Sequence, residues 1–495
     1  MIKKPFERVS PESVGIRSQD VSRLLDRLSL FPAGQEPHHF LLIRHGKVAA
    51  EGHWAPYTQG LPHNLASVSK ALTSTAVGFA VQEGLFHLDD KIVDLLPDKL
   101  PQELQPEMRN MTVKMLLEMG AGQECGDAHG GIKGEKRLKW QAKRQVQHDE
   151  IDLAKTFFTT ELIYEPGTVF GYNGMCSYLL SLIVTRKSGM DMMDYLTPRL
   201  FEPLGIPTPY AQRDPLGICI GQGGVYLSVE ELAAVGQFYL QKGMWEGKQL
   251  LSRQWIEDAT AKHLPTKSEV GEDWSQGYCW QFRRGRHNTY RFCGAFGQMC
   301  VCMPDLDALF VIESGVDVDY MHVVLDAFYD TLIRNMAPGT LPEDAAALAI
   351  LRQQCQALAL AAPTSTPAAG ASLMAGTWYF NENAPAQKAV LTFNGSAMQA
   401  ELTLKNGTIM TLRSSGSTPT VRSIGLPNDS GASDDWATTA WFAEIGTLCF
   451  RTWELSGFGK IDLTFRLSAK GIDMKLIMNH FFVIDPSEAF WTGTR

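Results

Sequence analysis

Apolar and polar positions along the first 335 residues change period several times. Residues 39–53 (HFLLIRHGKVAAEGH) set two apolar runs around His45-Gly46-Lys47, the pattern of a β-hairpin. Residues 67–85 carry apolar positions at helical spacing and stop at Gly84. From 86 to about 270 helices are predicted at 112–119, 150–160, 174–187, 229–242 and 252–260, separated by loops. Strand-like runs return at 277–283, 289–293, 298–303 and 307–313, and a helix is predicted over 320–335. The two ends of this stretch therefore supply one sheet, with a helical region inserted between them.

A different pattern follows. After Met336-Ala337-Pro338-Gly339 a helix is predicted over 343–360, then an Ala/Pro/Ser/Thr stretch at 362–372 reads as a linker. From Gly376 onward short alternating runs (TWYF, AVLTF, QAELTL, AWFAEI, IDLTFRL) are parted by turns such as Asn394-Gly395 and Asn406-Gly407. That is the mark of a small antiparallel sandwich or barrel. The expected organisation is a mixed α/β domain over 1–340, a helix and linker over 341–372, and a β domain over 373–495, which either binds something or covers the first domain.

Composition narrows the function classes. The 495 residues hold 45 Lys+Arg against 54 Asp+Glu, a net charge of −9, which disfavours nucleic acid and anionic membrane as partners. The longest apolar stretches are broken by Gln82 and Glu83 and by Arg352, Gln353 and Gln354, so neither offers the roughly 18 unbroken apolar residues of a membrane span. Pro5, Glu7 and Arg8 stand where a signal peptide would be apolar, so with Met1 as the start a cytoplasmic location is expected. Nine scattered cysteines without a CxxC pair point to reduced thiols. Cys300 and Cys302 alternate along one strand, where packing explains them without a metal. A basic stretch at 133–144 reads as a solvated face, with steering of acidic substrates as its functional alternative.

No GxSxG, HExxH, P-loop or GxGxxG fingerprint occurs. One Ser-x-x-Lys does: Ser67-Val68-Ser69-Lys70, where a loop turns into the helix of 67–85. Residues three apart share a helix face, so the Lys70 ammonium can reach the Ser67 hydroxyl. The free N–H groups of a helix start suit a developing oxyanion, and a desolvated lysine can take the proton that keeps a serine hydroxyl inert. By themselves the two residues suit equally well a helix-capping serine followed by a surface lysine.

The surroundings add to this pair. Downstream stand Gly84-Leu85-Phe86-His87-Leu88-Asp89-Asp90, Thr112-Val113-Lys114-Met115-Leu116-Leu117 and Glu165-Pro166-Gly167-Thr168-Val169-Phe170-Gly171-Tyr172-Asn173. Gly223-Gly224-Val225-Tyr226-Leu227-Ser228, Trp245-Glu246-Gly247-Lys248 and Gly294-Ala295-Phe296-Gly297-Gln298 follow. In this order, over about residues 10–335, they resemble the serine β-lactamase-like family: class C β-lactamases, DD-peptidases, family VIII esterases and nylon-oligomer hydrolases. The resemblance implies an α/β (α+β) fold, an antiparallel sheet flanked by helices with a helical subdomain, here followed by the small antiparallel β domain. It implies Ser67 as acylating nucleophile, Lys70 as its proton acceptor and Tyr172 as the phenol that helps move the proton. A phenol of ordinary pKa, about 10, needs a neighbouring cation for that task. The N–H groups of Ser67 and Ala295 are the implied oxyanion hole, and Asn173, Gly174, Phe292, Cys293 and Gly294 the implied substrate-binding positions, with no metal or organic cofactor.

Two departures bear on the substrate. Gly174 stands where the Tyr-x-Asn motif carries its amide, and Phe292-Cys293-Gly294 replaces Lys/His-Thr-Gly, removing the cation that holds a substrate carboxylate. The expected activity is therefore an esterase or amidase acting on a small-molecule ester, amide or peptide, with weak or no β-lactamase activity. The alternatives are a penicillin-binding-like sensor that acylates without turnover, or a D-amino peptidase.

Overall fold

The computed structural model describes residues 2–32, 34–123, 152–268, 271–360, 365–366, 370–416, 419–421, 436–479 and 490–495. The basic stretch at 133–144 lies outside the described residues, as do six of the eleven positions of the 362–372 linker. By contact the chain divides into two units: Met1–His53 with Asn64–Leu358, and Trp54–His63 with Ala359–Arg495.

The first unit is built on a seven-stranded sheet. In chain order its strands are β1 (Glu7–Arg8), β2 (Glu36–Arg44), β3 (Lys47–His53), β4 (Arg283–Arg284), β5 (Tyr290–Gly294), β6 (Gln298–Met303) and β7 (Ala308–Gly315). Across the sheet they run β1-β3-β2-β7-β6-β5-β4, so both ends of the unit's sequence meet at the β2–β7 pair. Phe310 of β7 stacks on Phe328 of the helix Met321–Thr331 at 4.4 Å. On the other face the helix Val229–Leu240 lies directly on β6, since a Cβ at Gly236 would come within 2.5 Å of Cys300 Sγ. Covered on both faces, β2 and β6 are buried along almost their whole length, which is why they read as apolar runs without alternation.

The helical part holds Ser69–Gln82 and Gly174–Ser188, packed against each other. Ser69–Gln82 is buried around nearly its full circumference, as an apolar helix without a polar face must be. The predicted helices appear as Val113–Leu117, Leu153–Thr159, Gly174–Ser188, Val229–Leu240 and Arg253–Thr260. The strand expected at 277–283 does not form apart from Arg283 at its end. Gln281 is left-handed there (φ 70°), and its side chain donates to the Leu116 and Leu117 carbonyls, both at 3.0 Å, turning the chain instead of extending it.

The second unit is a ten-stranded antiparallel sheet running from Ile409–Ser414 at one end to Thr420–Val421 at the other. Alternate residues point into a core that includes Trp378, Leu402, Phe450, Leu463 and Phe465. The Gly416 carbonyl accepts from Ala440 N–H (3.3 Å) and Thr439 Oγ1 (3.1 Å), bringing the strand Trp436–Glu444 back to the far end of the sheet. The sheet thus curls toward closure, as a barrel does. Residues 54–63 belong here: Ala55 bridges Ala359, Leu360 N–H donates to the Ala55 carbonyl (2.8 Å), and the buried Tyr57 donates to the Glu454 carbonyl (3.3 Å). The eight described cysteines are free thiols, and no described helix is long and apolar enough to cross a membrane.

Candidate active site

Ser67 sits in a short 3-10 turn, Ala66–Val68, that feeds the helix Ser69–Gln82. The turn depends on Ala66, whose φ of 46° is left-handed, a conformation that costs a residue with a Cβ roughly 1–2 kcal/mol. Its neighbours hold it there. The Ala66 N–H donates to Asn64 Oδ1 (2.9 Å), and its carbonyl accepts from Ser69 Oγ (2.8 Å), which itself accepts from Val225 N–H (3.1 Å). Ser67 is left half-exposed, while Lys70 one turn later is 3% exposed. Lys70 Nζ donates to Ser67 Oγ at 2.9 Å and to the Gln222 carbonyl at 2.7 Å. The spacing of three has brought the two side chains together as the sequence indicates.

Tyr172 completes the group. Lys70 Nζ lies 4.9 Å from the centre of its ring, and the Arg283 guanidinium 5.1 Å from it, so two cations flank one phenol. Arg283 is 5% exposed, and its Nη2 makes no hydrogen bond among the described residues. Besides Tyr172 it faces the rings of Phe170, Trp274 and Tyr278 at 4.9–5.8 Å. Tyr278 stands edge-on to Tyr172 at 6.1 Å. Burial first, and then the neighbouring Tyr172, push the Tyr278 hydroxyl well above the ordinary phenol range, so Tyr278 stays neutral.

The far wall is the end of β5. A Cβ at Gly294 would lie 2.4 Å from the Leu65 carbonyl oxygen and 3.1 Å from Val68 N, so only glycine lets this strand approach the Ser67 turn. The following turn, Ala295–Gly297, lies against Ala66–Val68. Phe296 in it is left-handed (φ 60°). Gln298 Nε2 donates to the carbonyls of Phe296 (3.2 Å) and Ser314 (2.6 Å), while Ser314 Oγ donates to those of Phe296 (2.8 Å) and Gly297 (3.0 Å). The backbone beside Ser67 is thereby fixed before any ligand arrives.

The remaining positions divide. Asn173 caps the helix Gly174–Ser188, its Oδ1 accepting from Met175 N–H (3.0 Å) and its Nδ2 donating to Gln123 Oε1 (2.9 Å), so its amide is already engaged at both ends. Cys293 is half-exposed on β5. Phe292 is fully buried, edge-on to Tyr239 (5.3 Å) and Phe282 (4.9 Å), and belongs to the core instead of presenting a surface to substrate. Arg283 and Gln222 went unnoticed in the sequence. Nothing separates Arg283 from its neighbour Arg284 until the rings of Phe170, Tyr172, Trp274 and Tyr278 close around it.

A family model described as Beta-lactamase matches residues 39–315, more than half of the chain and every residue of this site. The chain belongs to the beta-lactamase family. Within that family it is 25% identical over 299 residues to the 6-aminohexanoate-dimer hydrolase of Paenarthrobacter ureafaciens, a match covering 57% of this chain and 74% of that one. A lovastatin esterase of Penicillium rubens is 28% identical over 155 residues, 29% of this chain and 37% of that one. Among solved structures, a putative 6-aminohexanoate-dimer hydrolase from Bacillus anthracis superposes with a TM-score of 0.54 at 18% identity, over 69% of this chain and 89% of that one. The hydrolase EstCE1 superposes with a TM-score of 0.51 at 16% identity, over 63% and 99%. These two likenesses concern the fold. The two sequence relatives are named as a hydrolase and an esterase.

Proposed function

We propose that the protein is a serine hydrolase that forms an acyl-enzyme on Ser67 and acts as an esterase or amidase, with little or no activity on β-lactams. The observation that carries this reading is the 2.9 Å contact between Lys70 Nζ and Ser67 Oγ, made by a lysine buried away from water. In the neutral amine form of Lys70 the same contact runs the other way, with the Ser67 O–H donating to Nζ. Ser67 Oγ then attacks the carbonyl carbon, its proton passes to Lys70 or Tyr172, and the carbonyl oxygen becomes an oxyanion. The N–H groups of Ser67 and Ala295 receive that charge, supported by the close approach that Gly294 allows and by the Gln298 and Ser314 clamp. The proton goes on to the leaving alcohol or amine, and water releases the acid by the reverse route.

The choice of substrate rests on positions 174 and 292. With glycine and a buried phenylalanine there, a penicillin loses an amide contact and a charge-assisted one, the latter alone worth about 1.5–3 kcal/mol, or roughly 10–100-fold. The names of the two sequence relatives, an amide hydrolase and an esterase, support the same range of substrates.

The test is a panel of short-chain p-nitrophenyl esters, linear oligoamides and benzylpenicillin, with a fluorophosphonate probe and intact-mass analysis. Multiple turnovers of the esters, slower hydrolysis of benzylpenicillin by kcat/KM, and loss of labelling in Ser67→Ala are expected. Labelling that persists in Ser67→Ala overturns the assignment, and one equivalent of stable acyl-protein without turnover makes the protein a sensor instead.

A further inference from the structure

Gln281 is buried and holds a left-handed φ of 70°, which a residue with a Cβ rarely adopts. A primary amide carries two N–H donors and a carbonyl acceptor, and here all three are used inside the protein. Nε2 donates to the Leu116 and Leu117 carbonyls, both at 3.0 Å, and Oε1 accepts from Ser177 Oγ at 2.6 Å. The Gln281 backbone N–H adds a bond to the Leu117 carbonyl at 3.1 Å. An apolar side chain would fill the same space. Strain and buried polar bonds kept here instead mark a position where geometry matters.

The three segments so joined are those around Tyr172. Met119 follows Leu117 by two residues, and its N–H donates to the Leu116 carbonyl at 3.2 Å. Its carbonyl accepts from Gly171 N–H (2.8 Å) and its Sδ from Asn173 N–H (3.3 Å), so Met119 grips the backbone on both sides of Tyr172. Ser177 lies in the first turn of the helix Gly174–Ser188, which starts two residues after Tyr172. Gln281 itself stands in the chain between Tyr278 and Arg283, which flank the Tyr172 ring at 6.1 Å and 5.1 Å. A shift of any one segment would move the phenol relative to Lys70, and the one amide ties all three. Lys70 is set separately, by the helix Ser69–Gln82 and the Gln222 carbonyl.

We propose that Gln281 is a positioning residue for Tyr172, its amide fixing the phenol at the place from which it exchanges a proton with Ser67 and Lys70. It acts through Tyr172 and not by touching the substrate. A misplacement of about 1 Å at a reacting group costs roughly 10²-fold in rate, so a brace of this kind is felt in kcat. The inference rests on Tyr172 being the group that moves the proton.

The experiment is a double-variant cycle on p-nitrophenyl acetate. Each kcat is referred to the chains that a fluorophosphonate labels at completion, so a partly folded preparation still reports. Gln281→Met keeps the length of the side chain and removes its hydrogen bonds; kcat is expected to fall about 10–100-fold, with KM within about threefold. Ser177→Ala removes one of those bonds and is expected to lower kcat about threefold to tenfold. In a Tyr172→Phe background each change should cost less than about twofold, because the group being positioned is gone. Falls that persist undiminished in that background show a general structural role and overturn the inference. An unchanged kcat in Gln281→Met or, should that variant not fold, in Ser177→Ala overturns it too. A Tyr172→Phe protein as active as wild type overturns the proton-transfer reading of Tyr172 and this inference together; an impaired one with multiplicative losses overturns the inference alone.

Discussion

In the unit that carries Ser67, ten non-glycine residues hold a left-handed φ, whereas among the described residues of the other unit only glycines do. Four of the ten (Ala66, Met119, Gln281 and Phe296) line or brace the site. The first unit also buries Lys70, Arg283 and Glu313, whereas the second buries Glu454 and the threonines Thr438, Thr439 and Thr452 beside its apolar core. Backbone strain of this kind is thus confined to the unit that carries Ser67, and at Ala66, Gln281 and Phe296 side-chain hydrogen bonds hold it in place.

The sharpest way to break this contrast is at its centre. Lys70→Ala and Tyr172→Phe should each lower kcat by about 10²–10⁴. The double variant should be little worse than the poorer single one, since groups acting as a unit are not additive. Stopped-flow acylation rates that fall multiplicatively would show two independent roles.

In the β unit the same kind of change should touch stability alone. Leu463 is fully buried, and Leu463→Ala is expected to lower unfolding free energy by about 2–5 kcal/mol. Below the melting range, labelling at Ser67 should stay within about twofold of wild type, because Leu463 belongs to the other unit and shares no partner with Ser67 among the described residues. A calorimetric scan paired with a labelling time course checks both parts.

Gly294→Ala adds one methyl group against Leu65 O at 2.4 Å and, at 3.1 Å, Val68 N and Gln298 Cβ; the nearest of the three is backbone and cannot swing aside. A displaced turn beside Ser67 should lower kcat/KM by about 10–100-fold with only a modest fall in melting temperature. A melting temperature that collapses along with activity would make Gly294 a packing residue.

The smallest effect concerns Glu313, fully buried on β7 opposite His39, with neither carboxylate oxygen hydrogen-bonded among the described residues. Burial first, and then Glu231, hold its carboxyl well above the ordinary range. Below the ordinary carboxylate range both folded and unfolded chains keep the proton. As pH rises through it, the unfolded chain ionises first, and stability falls until the folded value is passed. Glu313→Gln, neutral at every pH, should match wild type near pH 4 and exceed it by at least about 1 kcal/mol at pH 7 in urea melts.

Much of this was legible in the sequence for physical reasons. A buried strand or an amphipathic helix shows itself over ten residues, so β2, β3, β6 and most helices appeared where expected. Ser67 and Lys70 were legible because their contact spans three residues of one helix start. The 277–283 run failed because Gln281 is turned by bonds to Leu116 and Leu117, more than 160 positions away. Arg283 and Gln222 stayed hidden for the same reason: what matters about each is a partner supplied by topology, an aromatic cage in one case and Lys70, 152 positions away, in the other.

The path of the chain between His53 and Asn64 sets an order on how the molecule can be finished. Synthesis delivers Ser67 and Lys70 early, but the residues with which Trp54–His63 cluster, Ala359 onward, emerge only after the rest of the Ser67 unit is made. A chain released in that interval holds Ser67, Lys70, Tyr172 and Arg283 but lacks the partners of the ten residues from 54 to 63. The nascent chain thus carries Ser67 just past a segment whose partners are made only after residue 358.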